Sequence, residues 1–168
     1  VNRVLKLDEA LLLLIRRLQV PFLTRAMRMF TRLGDATSWT FVSLVMIVSG
    51  GAGVRYGKLM GYSALLASIV SQLLKRVCRR KRPSHGINGF TALADNPDAF
   101  SFPSGHTAAA FGAAIAATGQ GAFLGPLLLS LAFAIALSRV YLGAHYPLDV
   151  GVGAALGAFA GATIRFCV

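Results

Sequence analysis

Residues 99–138 form a run of forty positions without one Asp, Glu, Lys or Arg. A helix rises about 1.5 Å per residue and a bilayer's hydrocarbon core is about 30 Å thick, so the run is long enough for two membrane crossings. Gly119, Gly121, Gly125 and Pro126 interrupt it, which predicts one helix over residues 104–118 and another over 123–138. Residues 36–54 are also uncharged, with Trp39 where an interfacial aromatic belongs. Residues 59–74 are uncharged between Lys58 and Lys75, whose long stems can snorkel, so a helix is expected over 58–77. A fifth is expected over 147–164, opening on Pro147, a good first helical residue. The expected fold class is all-α, a multi-pass transmembrane helix bundle with five clear spans.

Residues 1–34 differ, because Arg16, Arg17, Arg25, Arg28 and Arg32 break any continuous apolar stretch. They read as amphipathic helices. Arg25, Arg28 and Arg32 recur at i, i+3 and i+7, while Phe22, Leu23, Ala26, Met27, Phe30 and Leu33 supply the apolar surface. This segment is either a membrane-surface anchor or a sixth, tilted span beside a substrate entrance. No cleavable signal is read in it. The chain is expected to be one membrane-embedded domain over residues 1–168, with amphipathic helices over 1–35 and a helical core carrying the active site over 36–168.

Seventeen Lys and Arg against six Asp and Glu give a net charge of +11. In a polar chain that balance would suggest nucleic acid. Here 55% of residues are hydrophobic and 14% charged, against about 25% charged in an average soluble domain, so lipid is the expected partner and nucleic acid is not. Cys78 and Cys167 have no metal or redox spacing and are expected as free thiols.

Alternating five spans puts the end of the second, the start of the third, the end of the fourth and the start of the fifth on one side of the membrane. Those four ends hold the residues capable of chemistry. Lys75 and Arg82 are seven apart, within about 20° of each other on a continuous helix, and Arg79 is about 40° away. Pro83 pushes Arg82 toward an extended conformation. Pro103, Ser104 and Gly105 open the third span, where free backbone N–H groups make a natural anion site, although Ser104 could equally serve as a simple N-cap. His106 sits beside those groups. Arg139 ends the fourth span, and His145 and Asp149, four apart, flank the start of the fifth. A carboxylate at that spacing can fix one ring nitrogen and leave the other as a lone-pair donor, or simply staple two helices. Three cations and a ring of N–H donors suit a phosphate dianion, and two histidines divide into nucleophile and acid. Of the six acids only Asp149 falls in this constellation, which leaves no carboxylate cluster for magnesium.

Lys75-x6-Arg82-Pro83, Pro103-Ser104-Gly105-His106 and Ser138-Arg139-x5-His145-x3-Asp149 together resemble the three-part signature of the type-2 phosphatidic acid phosphatase superfamily, membrane lipid phosphate phosphatases related to vanadium haloperoxidases. The resemblance covers about residues 75–153. It implies that His145 attacks phosphorus to form a phosphohistidine, with Asp149 orienting and charging its ring. His106 would protonate the leaving lipid oxygen and then help activate water. Lys75, Arg82, Arg139, Ser104 and the Gly105 amide would hold phosphate oxygens, with no metal and no organic cofactor. Implied substrates are undecaprenyl diphosphate, phosphatidylglycerol phosphate or phosphatidic acid, with lipid A as the alternative. A non-catalytic lipid-phosphate binding or transport protein is the alternative of another class. Five apolar spans argue against a haloperoxidase.

Residues 84–102, with Gly86, Gly89, Asn96 and Pro97, are longer than an ordinary connection and read as a lid or headgroup loop, or equally as an interfacial loop. Gly153, Gly157 and Gly161 in the fifth span, and Gly105, Ala109, Ala113 and Ala117 in the third, are small-residue stripes at i+4 spacing for close helix packing. If residues 1–35 lie on the active-site side, that side carries 14 of the 17 cations. The positive-inside tendency alone would make it cytoplasmic. Phosphate and headgroup binding account for many of those charges, so the expected location is the bacterial cytoplasmic membrane with the site at its periplasmic face.

Overall fold

The computed structural model describes residues 2–94, 98–119 and 123–168 and contains, among these, eight helices and no named strand. Two amphipathic helices come first, α1 (Asn2–Arg16) and α2 (Pro21–Leu33), followed by α3 (Ala36–Val48) and α4 (Ala52–Cys78). The short α5 (Pro83–Gly86) leads into a connecting segment, and α6 (Gly105–Ala117), α7 (Leu124–Tyr141) and α8 (Pro147–Cys167) complete the bundle. Gly121, Asn96 and Pro97 lie outside the described residues.

Helix α3 is shorter than the uncharged run that contains it. Gly50 and Gly51 take φ of 76° and 53°, a conformation costly for other residues, and turn the chain back into α4 six residues before position 58. At the other end α4 stops at Cys78, where Arg79 is left-handed (φ 47°) and returns its N–H to the Lys75 carbonyl. Arg82 is therefore not on the α4 surface, and the shared helical face expected for Lys75 and Arg82 does not exist. Arg82 is extended ahead of Pro83, as the proline requires, and Arg79 is exposed on the surface.

α6 is the central helix, packed against α3, α4, α7 and α8, with its most extensive interface on α8. Its alanines and Gly112 leave no bulk to hold neighbours away. A Cβ at Gly157 would stand 2.2 Å from the Ala108 carbonyl oxygen, and one at Gly161 would stand 2.5 Å from that of Gly112. The glycine stripe of α8 is thus its seam with α6, which it meets at Ser104, Ala108 and Gly112, whereas Ala109, Ala113 and Ala117 of the other stripe belong to the core cluster of Trp39, Met60 and Leu128. Trp39 is only 4% exposed and packs with Met60, Ala110 and Ile135 in the core, so it is not the interfacial aromatic its position suggested.

Helices α7 and α8 are long and apolar enough to cross a membrane. α3 and α6 are apolar but have 13 residues each, and α4 has 27 with basic residues near both ends. The N-terminal pair closes over one end of the bundle. Leu12 of α1 joins Phe90, Val140 and Tyr146, Met27 of α2 packs with Tyr141 and Leu142, and Gln19 donates to the Tyr141 carbonyl at 2.7 Å.

Candidate active site

The end of the bundle covered by α1 and α2 is the one where Lys75, His106, Arg139, His145 and Asp149 meet. Lys75 comes from the last turn of α4, Gly105 and His106 from the first turn of α6, and Arg139 from the last turn of α7. His145 stands in the turn between α7 and α8, and Arg82 precedes α5. Lys75, Arg82, Gly105, His106, Arg139 and His145 line one cavity of about 160 Å³. Four segments far apart in the chain thus converge on a volume suited to a phosphate group.

His145 is 1% exposed, and its two ring nitrogens have different partners. Nδ1 lies 2.7 Å from the Ser101 carbonyl oxygen, which can only accept, so this nitrogen carries the proton. Nε2 lies 3.3 Å from a guanidinium nitrogen of Arg82, which can only donate, so Nε2 holds the lone pair. Burial, followed by the charges of Arg139, Arg82 and Lys75, holds the imidazole well below its ordinary pKa and keeps it neutral. A neutral ring with a lone pair on Nε2 among three cations has the chemistry of a nucleophile toward an anionic electrophile.

Asp149 does not take the place at His145 that its spacing suggested. Its Oδ2 is 3.7 Å from His145 Nδ1, beyond hydrogen-bond distance, because the Ser101 carbonyl occupies the bonding position. The fully buried Asp149 instead accepts from Arg80 at 2.7 Å and from the Tyr146 backbone N–H at 2.9 Å. Arg80 also pairs with Asp8 of α1 at 2.6 Å and stacks over the Tyr146 ring, while Asp8 accepts the Leu148 N–H at 2.8 Å. Two carboxylates therefore hold free N–H groups at the start of α8, where the helix dipole favours negative charge.

Ser104 is likewise placed differently. It is fully buried, its hydroxyl is 2.9 Å from Thr107 Oγ1, it makes no capping bond, and its N–H is given to the Asp149 carbonyl. It stands behind the cavity wall, at the α6–α8 seam. Gly105 does face the cavity.

Asp149 is not the sole acid of this region. Asp98, from the segment read as a lid or headgroup loop, forms ion pairs with both Lys75 and Arg82. Burial works against its charge, but the hydrogen bonds from Lys75 and Arg82 outweigh it and hold the Asp98 pKa below the usual carboxylate value. Asp35, just ahead of α3, accepts from His106 Nε2 at 2.7 Å, and Arg139 donates to Thr31 of α2. The only signal for these partners in the sequence is the scarcity of acids in an apolar chain. An acid at the head of an apolar helix needs a cation or donor, but its sequence position does not say which.

Beyond His106 and Arg139 lies a second cavity of about 490 Å³, reached past Thr31 and Asp35. The segment after α5 borders it through Leu93, whose N–H binds the Leu142 carbonyl at 2.8 Å.

Known proteins resemble this chain in sequence and in fold. The family model of the PAP2 superfamily matches residues 56–168. The decaprenylphosphoryl-5-phosphoribose phosphatase of Mycobacterium tuberculosis is 37% identical over 129 residues, 75% of this chain and 69% of that protein. The lipid A 1-phosphatase of Rhizobium johnstonii is 29% identical over 157 residues, 78% of this chain and 62% of that protein. The crystal structure of Aquifex aeolicus LpxE superposes with a TM-score of 0.84 at 27% identity, covering 96% of each chain.

Proposed function

The chain belongs to the PAP2 superfamily and is a lipid phosphate hydrolase, and from that premise we propose that it works through a phosphohistidine formed on His145. His145 Nε2 attacks phosphorus, and an N–P bond forms as the bond to the lipid oxygen breaks. His106 gives that oxygen its proton. A water then attacks the phosphohistidine, with His106 taking the water's proton, and phosphate leaves as the N–P bond breaks. Lys75, Arg82, Arg139 and the Gly105 amide hold the phosphate oxygens, and their charge favours the transition state. Asp149 acts at one remove, fixing the backbone N–H of Tyr146 and the start of α8 beside His145. Ser104 and its amide hold the α6–α8 seam behind Gly105. The observation that carries this reading is the neutral His145 with its Nε2 lone pair beside three cations.

The substrate class is a prenyl-linked phosphate or diphosphate or a glycerophospholipid phosphate. The likeness to a lipid A 1-phosphatase favours lipid A as the second reading. The protein is one domain in the bacterial cytoplasmic membrane, crossing it with α3, α4, α6, α7 and α8, with the site at the periplasmic face. Leu44, Val48, Leu65, Leu73, Phe133 and Phe159, all more than half exposed, supply the lipid-facing surface, which would be an unusual burden in water.

Phosphate release from a panel of purified lipid phosphates, with a chelator present, tests the reaction. His145→Ala should lower kcat by at least about a thousandfold. Acid-labile phosphate should be trapped on the wild-type chain and absent from the variant. Equal release by both would remove His145 from the mechanism.

A further inference from the structure

The larger cavity has a chemical character of its own. Its walls include Arg28 and Arg32 of α2, with Thr31 between them, and it shares Arg139 and His106 with the inner cavity. The two α2 arginines are four apart on one helical face and are exposed, and Arg28 donates to the Leu93 carbonyl at 3.3 Å. The carboxylate in the wall, Asp35, is engaged by His106. Three guanidinium groups thus face a space in which, among the described residues, the lining carboxylate is already partnered.

A substrate with its reacting phosphorus beside His145 must pass its leaving oxygen by His106, because His106 stands between the two cavities. The leaving group then lies against Arg28 and Arg32. An uncharged alcohol or acyl-glycerol there would offer the guanidinium groups only neutral oxygens, weaker acceptors than an anion. A phosphate would accept from both arginines in their fork geometry.

We infer that this cavity is a second phosphate subsite, and that the substrate carries another phosphate on the leaving-group side of the one it loses. This rests on the lipid phosphatase reading and narrows it. A lipid diphosphate is the simplest such substrate: the terminal phosphate is transferred to His145, and the remaining lipid monophosphate departs from the Arg28–Arg32 wall after taking its proton from His106. The arginine stripe of α2 thereby becomes part of substrate selection.

The full chain in neutral detergent micelles provides the test, with farnesyl diphosphate and farnesyl phosphate differing by the second phosphate alone. The wild type should prefer the diphosphate. In the double variant Arg28→Gln, Arg32→Gln the ratio of kcat/KM for the two lipids should fall by roughly tenfold or more. Arg28→Lys, Arg32→Lys should retain part of the preference. An unchanged ratio, or equal losses on both lipids, would overturn the subsite. The same arginines could instead hold anionic lipid of the bilayer. A defect that appears only after phosphatidylglycerol is added to the micelles, and then equally for both substrates, would assign them that role and overturn the proposal. A wild type that hydrolyses neither lipid nor any of the broader panel would instead overturn the phosphatase reading beneath it.

Discussion

Asp98 places a carboxylate between Lys75 and Arg82, where an oxygen of a bound phosphate would find the same donors. In the phosphate-holding role proposed for Lys75 and Arg82, the substrate takes two charge-assisted hydrogen bonds away from the protein's own acid. Asp98→Asn keeps the shape but weakens the competitor. The inhibition constant for vanadate or inorganic phosphate should fall by roughly tenfold, within the range of hydrogen bonds to charged groups. Weaker inhibition in this variant would mean that Asp98 organises the two cations instead of competing for them. His106 has a parallel partner in Asp35, whose carboxylate accepts a hydrogen bond from Nε2 at the boundary between the two cavities.

At the scale of helices, the proposed chemistry depends on a seam that itself carries none. α6 brings Gly105 and His106, α8 follows directly on His145 and carries Asp149, and the two are held in register by backbone contacts through Gly153, Gly157 and Gly161. Gly157→Val inserts side-chain atoms where even a Cβ would lie 2.2 Å from a carbonyl oxygen, so the helices must separate. It should destabilise the protein by about 3 kcal/mol, at the upper end of typical overpacking costs, and greatly reduce activity. Gly151, on the same helix, has open space around its Cβ position, and Gly151→Ala should leave both intact or raise stability by up to about 1 kcal/mol. Thermal unfolding in detergent together with phosphate release checks the pair. Equal behaviour would mean that the seam is soft.

For the molecule as a whole, the free cysteines mark its two ends. Cys78 closes α4 on the active-site end, and Cys167 closes α8 at the opposite end, where Arg165 reaches Thr118 at 2.8 Å. Both are exposed. With the site at the periplasmic face, an impermeant thiol reagent applied to intact cells should label the Cys167→Ser variant, through Cys78, and spare Cys78→Ser. The reverse pattern would place the site in the cytoplasm. The N-terminal helices close the site end in the same way in either orientation. Asp8, Thr31 and Asp35 each reach a group beside the reaction centre from residues that precede the bundle.

The sequence alone determined the all-helical class, the helices around the uncharged runs, the glycine stripe along which α8 packs closely and the convergence of Lys75, Arg82, His106, Arg139 and His145. These follow from local rules: hydrocarbon thickness sets run length, alternation sets sidedness, and helical spacing sets which residues share a face. Where a local rule was pressed further it failed. The Gly50–Gly51 turn ended α3 early, Arg79 ended α4 before Arg82, and Trp39 went to the core. Only the tertiary structure decided which acid meets which base. Ser101 holds the ring that Asp149 was expected to hold, Asp149 turns to Arg80, and Asp35 and Asp98 enter the site from distant segments. An ion pair or hydrogen bond forms with whatever group packing brings within about 3 Å, and that distance is set by helix contacts far from either residue in the chain.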